Sequence, residues 1–166
     1  MTQDVTIAPL LPTHRSQIEA ILRTTGVFSD EEIAVGLELF DAGTKEGYEF
    51  VGAFQDDRLI GYACYGLTPS TDGTYDLYWI AVDPKSQGSG AGRTLMNAVE
   101  RVLRERNARL VVAETSSRTD YESTRRFYER LGYAIAARLR DFYAPGDDRL
   151  VLTKRLRLVT TAIAAT

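Results

Sequence analysis

Apolar and polar positions along this 166-residue chain follow two periods, and the change from one to the other divides it. Val5-Thr6-Ile7 reads as a short strand, ended by Pro9 and Pro12. Thr13 to Thr25 has the spacing of a helix, with Ile18, Ile21 and Leu22 on one face and Gly26 closing it. Ser29 followed by Glu32 is a capping box, and the helix behind it aligns Ile33, Leu37 and Phe40. After Gly47 the period drops toward two. Tyr48–Phe54 and Leu59–Leu67 read as a hairpin, and Tyr75–Val82 as a third strand ending at Asp83-Pro84. A helix follows over Gly90–Asn107, with Leu95, Val99 and Val102 inward. Then come a strand over Ala108–Thr115, a helix over Tyr121–Leu131 stopped by Gly132, and strands over Tyr133–Tyr143 and Leu150–Leu156. This order predicts an α+β fold: a central mixed, mostly antiparallel sheet of about seven strands with helices on both faces.

Composition narrows the function classes. The apolar fraction of 44% suits one domain, expected over residues 1–157, with an uncharged tail over 158–166. A net charge of −3 gives no basic face for a nucleic acid. One cysteine, Cys64, allows no internal disulfide and no Cys metal cluster. One histidine, His14, leaves almost nothing for a His triad or zinc site. No basic stretch precedes an apolar run at the N-terminus, and no apolar run is long enough for a membrane span, so a cytoplasmic protein is expected. Cys64 and Trp79 are expected in the core, His14 in a surface turn, and Arg138 and Arg140 on a solvated strand face. Tyr62, Tyr65, Tyr75, Tyr78 and Tyr143 are explained by strand alternation as well as by a substrate groove.

The chemistry-bearing segment is Ile80-Ala81-Val82-Asp83-Pro84-Lys85-Ser86-Gln87-Gly88-Ser89-Gly90-Ala91-Gly92-Arg93-Thr94. A strand enters a Gly-rich turn, and the turn opens a helix. The first turn of a helix has unpaired N–H groups at the positive end of its dipole, and glycine lets a phosphate approach the backbone closely. A Walker A loop is excluded because Gly92-Arg93-Thr94 lacks its lysine. The spacing of Gly88, Gly90 and Gly92 does not fit the dinucleotide fingerprint.

The pattern Gln-x-x-Gly-x-Gly, here Gln87, Gly90 and Gly92, resembles the pyrophosphate-binding signature of the GNAT superfamily of N-acetyltransferases. Thr124–Tyr133, a helix carrying Tyr128 and ending in Gly132-Tyr133, is similar to that family's second core block. In it Phe127 and Leu131 are expected to face the core and Tyr128 the cofactor groove. A looser resemblance, over Arg140–Asp148, is to the ribosomal-protein N-terminal acetyltransferases. That group often has an Asn where this chain has Tyr121, so its contact is not carried over. The resemblance implies a three-layer fold and direct transfer of the acetyl group of acetyl-CoA to a primary amine, without a metal. Ile80, Ala81, Val82, Gln87, Gly88, Ser89, Gly90, Ala91, Gly92 and Arg93 would hold the cofactor. Small-molecule amines and peptide N-termini are the expected partners, with no nucleic acid and no membrane, and a homodimer is left open.

Direct transfer needs a neutral amine, a donor to the oxyanion and a proton for the leaving thiolate. A phenol suits the last task, which assigns Tyr128 as acid. Two carboxylates compete for the amine's proton: Glu114 at the end of its strand, where the resemblance favours it, and Asp76 farther back on the preceding one. A non-catalytic acyl-CoA sensor would keep the Gly-rich turn and lose these groups.

Overall fold

The computed structural model describes residues 4–157. One sheet holds seven strands: β1 (Thr6–Pro9), β2 (Glu49–Gln55), β3 (Arg58–Leu67), β4 (Thr74–Val82), β5 (Leu110–Ser116), β6 (Ala134–Ala144) and β7 (Asp147–Arg155). Their spatial order is β1-β2-β3-β4-β5-β7-β6, and every neighbouring pair is antiparallel except β4 with β5. Four helices flank it: α1 (Arg15–Thr24), α2 (Asp30–Ala42), α3 (Ala91–Glu105) and α4 (Glu122–Arg130). The α+β architecture is the one the residue pattern predicts.

Local chemistry sets the element ends. At the start of α2, Ser29 Oγ accepts from the Glu32 amide while the Ser29 amide donates to Glu32, so the capping box forms in both directions. The stretch before α1 is a separate 3-10 turn, Pro12–His14, in which His14 Nδ1 accepts from the Leu11 amide at 2.9 Å. Strand β7 begins at Asp147, earlier than its apolar run, because Asp147 and Asp148 are buried by hydrogen bonds to Ser116 and Ser117.

The two faces of the sheet are covered to different extents. On one, α3 and α4 bring Leu95, Met96, Val99, Leu103 and Tyr128 against Ala63, Leu77, Val111, Ala113 and Leu152. On the other, α1 and α2 pack Ile18, Leu22, Ile33 and Leu37 on Phe54, Leu59, Tyr62 and Ala81. Each Leu, Ile, Val, Met or Phe side chain among them contributes about 1.5–3 kcal/mol when fully buried. The α1/α2 cover stops at β4; no residue of β5, β6 or β7 belongs to its cluster.

Strand β4 carries the feature that opens the sheet. Cys64 pairs with Trp79 and Tyr65 with Leu77, so Tyr78 is an extra residue, a β-bulge. Before the bulge Tyr75 and Leu77 face α3 and α4. After it Ile80 and Val82 face that side, and Trp79 and Ala81 face α1 and α2. The pairing of β4 with β5 runs from Thr74–Leu110 to Leu77–Ala113 and ends there. Beyond that point β5 stays paired only with β7, to Ser116–Arg149. The sheet is therefore split between Tyr78–Val82 and Glu114–Ser116.

Candidate active site

The Gly-rich turn leaves the free end of β4. Asp83 starts it by accepting from the Lys85 amide at 3.0 Å. Gly88 (φ 83°) and Gly90 (φ 84°) are in the left-handed region, which explains glycine at both. A Cβ at either would meet nothing within 4 Å, so the turn is open on its outer side. The amides of Gly88, Gly90, Gly92 and Arg93 have no acceptor among the described residues. They stand at the positive end of a 15-residue helix. This is a fit for a diphosphate: several donors, no side chain in front of them, and a favourable dipole. Ser89 has its hydroxyl committed within the turn, donating to the Ser86 carbonyl and accepting from the Ala91 amide. Ala91 is buried in the core and Arg93 is exposed. A Cβ on Gly92 would lie 3.0 Å from the Phe127 ring, so Gly92 also lets α4 pack against the first turn of α3.

Tyr128 lies on that same side of the sheet. Phe127 and Leu131 pack against the core as expected, half-buried, but Tyr128 is the most enclosed residue of α4 and lies in the core between them, which corrects the expectation that it turns away. Phe127 is drawn away from the core centre by its contact with the α3 turn. The Tyr128 ring meets Phe127 at 5.5 Å and Tyr133 at 5.4 Å, both edge-on. Its hydroxyl has no hydrogen bond among the described residues, and burial holds its pKa well above the ordinary phenol value. The group is thus a protonated donor at neutral pH. Behind it Tyr133 donates to Glu100, which is buried in α3 and paired with Lys154 at 2.8 Å and Arg104 at 3.1 Å.

The two carboxylates are on the opposite face. In β5, Val111 and Ala113 point to α3 and α4, so Val112 and Glu114 point the other way. Glu114 and Tyr128 therefore approach the opening from opposite faces. Asp76 sits beside Val112 in the paired half of β4, half-buried, and accepts from the Thr68 hydroxyl at 2.7 Å. Glu114 is two residues beyond Val112, about 7 Å nearer the split by strand rise. It is ion-paired with Arg149 of β7. Arg149 was not a candidate from the sequence, since 35 residues separate it from Glu114 and only the β5–β7 register joins them. Arg125 was missed because its partners are backbone carbonyls, which no residue pattern marks: it donates to the carbonyls of Ser116 and Arg118, both at 2.8 Å, and fixes α4 to the end of β5.

The remaining residues behave as packing groups. Cys64 is fully buried and its thiol is pushed up to about 12 by desolvation, which removes it as a nucleophile. Trp79 packs against Phe28 of the α1–α2 connection, ring centroids 4.9 Å apart and tilted by 39°. Tyr62, Tyr65 and Tyr75 are buried, whereas Tyr78 and Tyr143 are exposed. Arg138 is not merely solvated, because it pairs with the buried Asp148. The tail 158–166 lies outside the described residues. No described helix is long and apolar enough to cross a membrane.

The opened sheet and the donor-lined turn at its edge suit a ligand that carries a diphosphate, and comparison with known proteins shows the family. Residues 16–133 match the model of the Acetyltransferase (GNAT) family, and the chain belongs to that family. A solved GNAT-family protein from Desulfovibrio desulfuricans is 44% identical, with 93% of this chain and 100% of that one covered and a TM-score of 0.89. The Escherichia coli ribosomal-protein-S18-alanine N-acetyltransferase shares the fold at 21% identity, with 98% and 100% covered and a TM-score of 0.79. The L-amino acid N-acyltransferase MnaT of Escherichia coli is 25% identical over 124 residues, 72% of this chain and 71% of that one. The protein is an acetyl-CoA-dependent acyltransferase.

Proposed function

We propose that the protein transfers acetyl from acetyl-CoA directly to a primary amine, of a small molecule or a peptide N-terminus, in a ternary complex. The observation that carries this is the set of unpaired amides of Gly88, Gly90, Gly92 and Arg93 beside a sheet split that Tyr128 and Glu114 flank from opposite faces. The named activities of two relatives, on L-amino acids and on a ribosomal-protein alanine, fall on either side of that acceptor range.

The Gly88–Arg93 amides hold the diphosphate, and Ile80, Ala81 and Val82 line the pantetheine arm. Backbone groups of β4 beyond Leu77 that face β5 have no strand partner there and are available to the thioester carbonyl. The acceptor arrives from the α1/α2 face as an ammonium and gives a proton to Glu114. Its nitrogen attacks the thioester carbon, a C–N bond forms and the C–S bond breaks. The attacking nitrogen gives its second proton to solvent, the thiolate takes the Tyr128 proton, Tyr128 is reprotonated from solvent, and Glu114 returns its proton to solvent. The products are the amide, free CoA and one proton. Asp76, held by Thr68 in the paired half of β4, is the second carboxylate and acts at most through water.

The test is an amine panel read by release of free CoA. Tyr128→Phe keeps the ring and removes the hydroxyl; turnover is expected to fall by roughly one to three orders of magnitude with acetyl-CoA affinity unchanged. Gly90→Asp should abolish the rise in melting temperature that acetyl-CoA gives the wild type. A protein that binds acetyl-CoA and releases CoA with no amine would be the non-catalytic sensor instead.

A further inference from the structure

Arg149 is held in a way that stability does not explain. Its guanidinium lies 4.9 Å over the Phe142 ring, and Nη2 donates to Glu114 Oε1. Its Nε is buried with no partner, an unfavourable arrangement for a strand-face arginine. Nη1 makes no hydrogen bond among the described residues. The pair remains open to solvent, with side-chain exposures of 27% for Arg149 and 39% for Glu114. An exposed pair of this kind adds little to folding. Register puts Ser116 opposite Arg149 and Glu114 opposite Val151, so all four share the face that α1 and α2 leave uncovered.

We infer that the acceptor is a free α-amino acid bound as its zwitterion, its ammonium at Glu114 and its carboxylate at Arg149. This rests on the reading of Glu114 as the group that receives the amine's proton. A zwitterion carries both charges on neighbouring atoms. On entering, it exchanges the internal ion pair for two pairs of the same kind, so neither residue is left with an unmatched charge. The guanidinium fork accommodates a carboxylate, and Phe142 beneath it fixes the plane of that fork. An amine with no adjacent carboxylate would take Glu114 from Arg149 and strand the guanidinium. Phe142 and Tyr143, both about half exposed beside the pair, provide apolar surface for the acceptor's side chain.

The experiment compares kcat/KM, by CoA release, for the standard L-amino acids, their primary amides and their decarboxylated amines. For the amino acids that turn over, the free acid should exceed its amide and amine by about ten- to hundredfold, the scale of a charged hydrogen bond. Arg149→Gln should reduce that ratio to near one, mostly by raising KM for the amino acid, and Arg149→Lys should restore part of it. The acetyl-CoA thermal shift reports that each variant is folded, and the wild-type comparison decides without them. Equal wild-type turnover of acid and amide, a preference for peptides, or a ratio that survives in Arg149→Gln would overturn the inference and leave amine acetylation standing. If no amine is acetylated while acetyl-CoA still raises the melting temperature, the acetyltransferase reading itself fails.

Discussion

The two faces of the sheet meet opposite requirements with the same strands. Under α3 and α4 the ionic group is Glu100, almost wholly enclosed, with Lys154, Arg104 and the Tyr133 hydroxyl around it. On the face beyond the reach of α1 and α2 the ionic group is Glu114, paired with Arg149 and in contact with water. An enclosed charge must be compensated by the protein at all times, so its partners are part of the fold. An exposed one can exchange its partner for an incoming ligand, because solvent covers the cost during the exchange. The first arrangement keeps Tyr128 dry and protonated; the second keeps Glu114 available.

Substitutions that remove one partner on each face sharpen this contrast. Lys154→Ala should have the largest effect, about 3 kcal/mol of stability, because Glu100 is left buried with the half-exposed Arg104 as its one charged partner beside the Tyr133 hydroxyl. Urea titration would measure it, and a midpoint unchanged from wild type would show that the enclosed charge is not held by Lys154. Next is Glu114→Gln, for which we expect a ten- to hundredfold loss of turnover at low pH, where few amines are already neutral. The deficit should shrink as pH rises and free amine accumulates. Asp76→Asn, in the paired half of β4, should show a smaller loss with little pH dependence. A steep, pH-dependent loss in Asp76→Asn and none in Glu114→Gln would reverse the two assignments. The smallest effect is on folding in Arg149→Gln, within about 1 kcal/mol by the same titration, since its partner stays hydrated. A loss near that of Lys154→Ala would erase the distinction between the faces.

The sequence carries the first of these regions far better than the second. Gly88, Gly90 and Gly92 announce the turn because left-handed backbone and close packing each demand glycine, whatever the rest of the chain does. The helices and strands follow from periodicity, with most ends displaced by a residue or two and the largest displacement at the start of β7, where Asp147 is hydrogen-bonded to Ser116. The depth of Tyr128 is not legible locally, because it is set by Phe127, Tyr133 and the α3 side of the core, which meet it only in the folded sheet. The Glu114–Arg149 pair was out of reach, since it depends on β7 lying between β5 and β6. Nothing in the spacing of the last two strands fixes that order.

The extra residue at Tyr78 also bears on which length changes β4 can absorb. It is a parity switch: odd positions face α3 and α4 up to Leu77, and even positions do from Ile80 onward. Deleting Tyr78 itself would remove the extra residue and leave Trp79, Ile80, Ala81 and Val82 on their present faces in a regular strand, whereas deleting one residue along 79–82 with the bulge kept would turn the residues beyond the gap to the opposite face. Such a gap along 79–82 would invert the contacts of the residues beyond it while the composition of the strand stayed nearly the same. Deleting two would preserve the faces but draw the Gly-rich turn back by about 7 Å. Among descendants of this chain, point substitutions along 79–82 should therefore be far commoner than single-residue gaps, and a surviving gap should be matched by a second length change before Asp83.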